Sequence, residues 1–196
     1  MNNFIQQEEL KFINMDYLEE TKKAMKWLGK KKDTIFLGQT VCYEGSAMFR
    51  SLEDVDKKKR IEMPIAEDMQ MGMSIGLALE RYVPITIYPR IDFLLCAVNQ
   101  LVNHLNLCEK MSHNEFKLGV IIRTQIGNTK PLYPGPQHCQ NHYQALQLLC
   151  NNILVIKLNK AEQVIPCYRN AYKRAKKGYS TLLIETPQGG KNPNKK

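Results

Sequence analysis

Glu67 is the residue of this sequence whose surroundings most suggest chemistry. It closes the stretch Met63-Pro64-Ile65-Ala66-Glu67 and stands before a mostly apolar run, Met69 to Leu79, that holds Gly72, Gly76, Ala78 and one hydroxyl, Ser74. A carboxylate at the mouth of so apolar a helix is either a cap favoured by the helix dipole or a group equipped by its pocket to handle a proton. The residues alone leave both open. The histidines offer less. His138 and His142 are four apart, which places them on one turn if the segment is helical, but no carboxylate or third ligand accompanies them as a zinc site requires. No metal ligands are expected of this chain. It also has no Gly-x-x-x-x-Gly-Lys-Ser/Thr loop, no Gly-x-Gly-x-x-Gly after a strand and no Gly-x-Ser-x-Gly elbow.

Positioning Glu67 takes a scaffold, and the apolar pattern outlines one. An amphipathic helix is predicted over Asp16 to Leu28, with Leu18, Met25 and Leu28 on one face. A strand, Thr34 to Leu37, ends at Gly38, and Glu44 to Leu52 reads as helix. Ile61 to Met63 is a short strand, Glu67 to Arg81 a helix and Pro84 to Tyr88 a strand. Leu94, Val98, Leu101, Leu105 and Cys108 recur at three- and four-residue steps, predicting one helix over Asp92 to Met111. Leu118 to Arg123 is a strongly apolar strand. A Gly- and Pro-rich loop, Gly127 to Pro136, leads to a helix over His138 to Leu149. Ile153 to Lys157 reads as strand, Ala161 to Ala175 as helix and Thr181 to Glu185 as the last strand. Residues 1–187 are expected to form one domain, and 188–196 a polar tail without fixed structure.

Apolar strands alternating with helices predict an α/β fold, a doubly wound, mainly parallel sheet with helices on both faces. Such sheets bind ligands outside the carboxyl ends of their strands. Glu67, the segment after Tyr88 and the Gln125 to His138 loop each follow a strand, so all three are expected at that crevice.

Composition narrows the function classes. At 196 residues with 43% hydrophobic and 24% charged content, the chain suits one globular domain with a sizeable core. No apolar run reaches the roughly 18 residues of a membrane span, and the start does not read as a signal peptide. Six cysteines without a Cys-x-x-Cys pair, mostly in apolar contexts such as that of Cys96, read as reduced buried thiols. A cytoplasmic location without membrane association follows as the expectation. The net charge of +9 gathers at Lys22 to Lys32, Lys57 to Arg60, Lys173 to Lys177 and the tail. These lysines are not interleaved with aromatics and lie on no recognition helix, so a nucleic-acid partner is not expected.

Four motifs in order carry a resemblance. Arg60-Ile-Glu-Met-Pro-Ile-Ala-Glu67 with the helix through Gly72 and Gly76 and Val83-Pro84-Ile85 is similar to the pyrimidine-binding domain of thiamine diphosphate enzymes. The likeness is to transketolase-like domains, and specifically to the N-terminal domain of the beta subunit of 2-oxo-acid (pyruvate) dehydrogenase decarboxylase components. Asp92-Phe93 followed by Ala97-Val-Asn-Gln-Leu-Val-Asn103 resembles the family's segment after the third strand. Gln137-His138-Cys139-Gln140 resembles its Gln-His-Ser-Gln, and Leu37-Gly-Gln-Thr-Val41 echoes its Gly-Glu-Asp-Val. The resemblance extends over about Tyr17 to Pro187.

The resemblance implies roles for particular residues. Glu67 would hydrogen-bond N1′ of the cofactor's aminopyrimidine and promote loss of the thiazolium proton, the cofactor then serving as electron sink. Ile65, Met69 and Met71 would give the carboxylate an apolar pocket. Phe93, which by itself reads as core, would pack on the pyrimidine ring, and Ile65 would line its site. His138, otherwise a helix-capping histidine, would act as acid or base near the substrate. Gln39 stands where the family has an acidic residue, keeping a polar contact to the cofactor but not a charged one. Met69 replaces a glycine and is expected to crowd the helix start.

The chain shows no Gly-Asp-Gly…Asn motif and ends where family beta subunits continue into another domain. The implied protein is one subunit of a split thiamine diphosphate enzyme, active only with a partner chain that carries the Mg2+ and diphosphate site, in a heterotetramer of two pairs. Its small-molecule substrate would be a 2-oxo acid or ketose-like donor, decarboxylated, ligated or used in ketol transfer. The alternative is a non-catalytic regulatory or scaffolding paralogue that kept the fold.

Overall fold

The computed structural model describes residues 17–44, 46–130 and 133–187. The tail 188–196 lies outside the described residues. Six strands form one parallel sheet: β1 (Thr34–Gly38), β2 (Arg60–Glu62), β3 (Val83–Tyr88), β4 (Ile121–Gln125), β5 (Leu154–Leu158) and β6 (Thr181–Glu185). Their order is β2-β1-β3-β4-β6-β5. The interior strands β3 and β6 are buried along their whole length, as a sheet covered on both faces requires. The edge strands β2 and β5 are partly exposed, and β5 carries Lys157.

Alternating strand residues feed two cores. On one face Phe36, Ile85, Ile121 and Leu183 pack with α1 (17–29), α2 (Ala47–Ser51) and α7 (Val164–Ala175). On the other, Ile122, Leu182 and Ile184 pack with α3 (Glu67–Leu79), α4 (Ile91–Leu94) and α6 (Tyr143–Leu149). The buried stripe of α1 is Tyr17, Thr21, Ala24, Met25 and Leu28, so Leu18 stands beside it rather than within it. Between the faces of β4 and β6 lies an ion pair. Arg123 Nε and Nη2 donate to Glu185 Oε1 and Oε2 at 3.0 and 3.1 Å, Arg123 Nη1 reaches Ser51 Oγ at 2.7 Å, and Tyr168 donates to Glu185 Oε1 at 2.6 Å. Both charged side chains are almost fully buried. Burial pushes the Tyr168 phenol well above its ordinary value, so it remains a donor.

Helix bounds depart from the periodicity where side chains compete for backbone. The helix expected over Asp92 to Met111 is a continuous helical run over 91–105, whose bonding changes from α (α4) to 3₁₀ at Leu95–Ala97 and to π at Gln100–Leu105, followed after a turn by α5 (Cys108–Met111). The turn after Leu105 brings Asn106 to the connection before β5. Its side chain donates to Asn151 at 3.0 Å and accepts from the Asn152 amide at 2.9 Å. Cys96, expected buried from its neighbours, is exposed on the 3₁₀ turn; Cys42 is exposed too, and only Cys139 and Cys150 are buried. The helix expected from His138 begins only at Tyr143, whose amide donates to Asn141 Oδ1 at 3.2 Å, while His138 ends a separate 3₁₀ turn, Pro136–His138. The two histidines do not share a helical turn. The helix expected from Glu44 is shortened to α2, where Ser46 Oγ accepts the Phe49 amide at 3.0 Å. No helix among the described residues is long and apolar enough to cross a membrane.

Candidate active site

The carboxyl ends of β1, β2 and β3 gather the candidate residues. The chain runs outward from β1 to the β2 edge and returns through α3 to β3, so β1 and β3 flank the point where strand order reverses. Glu67 is the first residue of α3 and is 8% exposed. The N-cap position, Ala66, provides no side-chain hydrogen bond. The Glu67 carboxylate instead turns toward the end of β1, where Gln39 Nε2 donates to its Oε1 at 3.0 Å. The Tyr88 hydroxyl at the end of β3 donates to the Glu67 carbonyl at 3.2 Å. Burial, to which the Glu67 charge adds, pushes the Tyr88 phenol up and keeps it a donor.

The inner face of α3 is polar, yet largely satisfied. Gln70 Nε2 donates to Thr86 Oγ1 at 2.9 Å and to the Ile87 carbonyl at 3.0 Å, and Ser74 Oγ donates to the Gln70 carbonyl at 2.8 Å. These bonds fix the helix on β3 and so fix Glu67. The apolar residues take the other side. Met71 is buried, but Met69 is 48% exposed, and Ile65, ahead of the helix, is 86% exposed. Two of the three residues expected to form an apolar pocket therefore face outward in this chain, and Met69 does not crowd the helix start.

The second group lies after β3 and β4. Arg90 Nη1 donates to the His138 carbonyl at 3.2 Å, and Phe93 meets the His138 ring edge-on, with centroids 5.6 Å apart and planes at 88°. Asp92 Oδ1 accepts the Gln140 amide at 3.2 Å, fastening the same loop. The Gly127 backbone lies against the His138 carbonyl so closely that a side chain there would overlap it. Burial pushes the neighbouring Cys139 thiol up, and its sulfur contacts the Asn128 carbonyl at 3.5 Å. Thus Gln39 pairs with Glu67, Phe93 pairs with His138, and Ile65 stands exposed beside the first pair.

Two residues of this end lie within the motifs that carry the resemblance, yet no role was expected of them. Glu62, the last residue of β2, accepts the amides of Thr40, Val41 and Cys42 at 2.6, 2.9 and 2.8 Å. Its signal was present in the sequence only as an acidic residue between Ile61 and Met63, which reads as strand-edge polarity. Asp92 is 8% exposed, and its second oxygen is buried without a partner among the described residues, as are Thr40 Oγ1 and His138 Nδ1. Buried polar atoms without a protein partner are unusual and are met by a water, an ion or a ligand. A carboxylate, a flat aromatic side chain and unfilled donors and acceptors at one sheet end fit a planar nitrogen heterocycle. Among the described residues, no three His, Cys, Asp or Glu side chains cluster as metal ligands.

No family model matches the sequence. Over 126 residues the chain is 29% identical to the pyruvate dehydrogenase E1 component subunit beta of Cyanidium caldarium, covering 61% of this chain and 38% of that protein. It is 31% identical over 117 residues to the corresponding subunit of Gracilaria tenuistipitata var. liui, covering 56% and 35%. To the 2-oxoisovalerate dehydrogenase subunit beta of Bacillus subtilis it is 26% identical over 117 residues, covering 58% and 36%. The matched region spans little more than a third of the length of these relatives. Among solved structures, a split gene transketolase, described as an inactive beta4 tetramer, matches 87% of this chain and 51% of its own with a TM-score of 0.66 at 20% identity, a likeness of fold. The chain therefore has the transketolase-like α/β fold and is similar in sequence to the beta subunits of 2-oxo-acid dehydrogenases.

Proposed function

We propose that this chain is the pyrimidine-binding subunit of a heteromeric thiamine diphosphate-dependent enzyme that acts on a 2-oxo acid or a ketose-like donor. The observation that carries the reading is the buried Glu67 carboxylate at the sheet's carboxyl end, held through Oε1 by Gln39. Thiamine diphosphate, when bound, supplies the electron sink for breaking or making the bond beside the substrate carbonyl. Glu67 would hydrogen-bond the pyrimidine N1′ position, donating a proton to that ring nitrogen and taking it back. Gln39 holds one carboxylate oxygen, and the other would serve the ring. Phe93 would pack on the pyrimidine, Ile65 would line its edge, and His138 would donate or accept a proton near the substrate. Mg2+ and the diphosphate belong on the partner chain.

The outward Ile65, Met69 and Met73 support a partner at this end. Exposed apolar side chains beside a binding carboxylate suit a site completed between chains. A heterotetramer of two pairs is the assembly that accords with this reading. Co-expression with a chain bearing the Gly-Asp-Gly motif tests it. The mixed complex should bind thiamine diphosphate and Mg2+ while neither chain alone does so with comparable affinity. Equal binding by the partner alone would contradict the assignment.

A further inference from the structure

Gln39 reaches Glu67 only because the segment after β1 turns sharply, and that turn is costly by itself. Thr40 adopts φ 59°, a left-handed conformation that a β-branched residue rarely takes. A residue so placed persists only where its surroundings enforce it. Here the enforcement is visible. Gly38 of β1 pairs with Glu62 of β2 in the parallel ladder, which brings the Glu62 side chain level with the turn. Its Oε1 accepts the Thr40 amide at 2.6 Å, and its Oε2 accepts the Val41 and Cys42 amides at 2.9 and 2.8 Å. Successive amides converging in this way form an anion-binding concavity, filled by the chain's own carboxylate. Hydrogen bonds to an ionised acceptor are about twice as strong as neutral ones. The carbonyls of the same turn are held more loosely, Thr40 by Ser46 Oγ at 3.4 Å and Val41 by Arg60 Nη1 at 3.5 Å.

We propose that Glu62 is a positioning residue, whose clasp on the amides of residues 40–42 sets the Gln39 side chain against Glu67. Among the described residues no hydrogen bond joins Glu62 to Glu67. Glu62 acts through the turn, Gln39 being the residue immediately before the clasped amides. Its importance for catalysis rests on the function proposed above, but the positioning itself does not.

The test uses the full chain, isotope-labelled, with the Gln39 side-chain amide resonance and its cross-peaks to Glu67 as readout. In Glu62→Gln the carboxylate that accepts all three amides is gone. The Gln39 amide should lose its cross-peaks to Glu67, and the Thr40, Val41 and Cys42 amides should shift upfield. Adding Thr40→Gly to the same chain should restore the Gln39 contact, because glycine takes positive φ without strain. A merely structural role for Glu62 would not be rescued at that position. If Glu62→Gln does not fold, Glu62→Asp, which keeps the charge on a shorter stem, is read in the same way. In the complex with its partner, kcat should fall between about 10- and 100-fold with KM little changed, as for a misplaced reacting group. An unmoved Gln39 amide in both Glu62 variants, or no rescue by Thr40→Gly, overturns the proposal. If the amide moves as expected but Glu67→Gln leaves turnover intact, the positioning stands and the cofactor assignment falls.

Discussion

Arg90 and His138 meet across 48 residues of chain, the Arg90 guanidinium donating to the His138 carbonyl at 3.2 Å. That bond ties the connection after β3 to the loop after β4, and Phe93 adds its ring to the imidazole of the same histidine. The tie explains why Gly127 is glycine. A Cβ at 127 would overlap both the His138 carbonyl and the Arg90 guanidinium.

Gly127→Ala should therefore detach the His138 loop while leaving the sheet intact. The expected result is loss of the Phe93–His138 ring contacts in NMR spectra, together with faster hydrogen exchange at the Gln140 amide, whose acceptor is Asp92. Retained ring contacts would show that the loop is held elsewhere.

The Arg123–Glu185 pair predicts an asymmetry in stability. Arg123→Met leaves Glu185 buried and uncompensated, which costs about 3–5 kcal/mol. The double change Arg123→Met with Glu185→Leu should recover most of that loss, because paired removal leaves no lone charge. Denaturant midpoints of the two variants decide the matter. A double variant as unstable as the single one would mean that Tyr168 and Ser51, left without their partners, dominate.

Asp33 sets a pH dependence at the opposite end of the sheet. Burial pushes its carboxyl up, but hydrogen bonds from Lys176 and Tyr172 outweigh it and hold the group below its ordinary value. With a folded pKa below the unfolded one, its contribution is fully present above the ordinary aspartate value of about 3.9. It is lost as pH falls through the folded pKa. Thermal midpoints of Asp33→Asn and the parent chain should therefore differ near neutral pH and converge at the acid end. Tyr172, pushed up to about 12 by burial and by the Asp33 charge, stays protonated throughout that range. A constant difference down to the lowest pH would contradict the linkage.

Much of this architecture can be read along the chain. The strands are legible because apolar runs bounded by Gly, Pro and polar clusters need no partner to be recognised, and β3 and β6 bury the residues that the pattern marks. Glu67 was legible as a carboxylate between a Pro-led turn and an apolar helix. Its neighbours were not, because helical rotation places Glu67, Gln70, Met71 and Ser74 inward and Met69 and Met73 outward. An apolar segment whose inner face is polar has no clear signature. The changes of helix type at Leu95 and Gln100 and the turn after Leu105 were hidden as well, since leucines keep helical spacing through α4, the π-helical stretch and α5. The turn that ends the π-helical stretch is fastened by Asn106 bonding to Asn151 and Asn152, a contact that only the assembled sheet brings within reach. The Glu62 clasp and the Gln39–Glu67 bond depend likewise on the β1–β2 register, which no local window contains.

The central claim is that Glu67 activates the aminopyrimidine, and exchange of the cofactor's thiazolium C2 proton for deuterium measures that directly. In the complex with the diphosphate-binding partner, Glu67→Gln should still bind thiamine diphosphate but slow C2 exchange by about 10²–10⁴-fold, the usual range for losing a proton-transfer group. Exchange as fast in Glu67→Gln as in the parent complex would contradict the account.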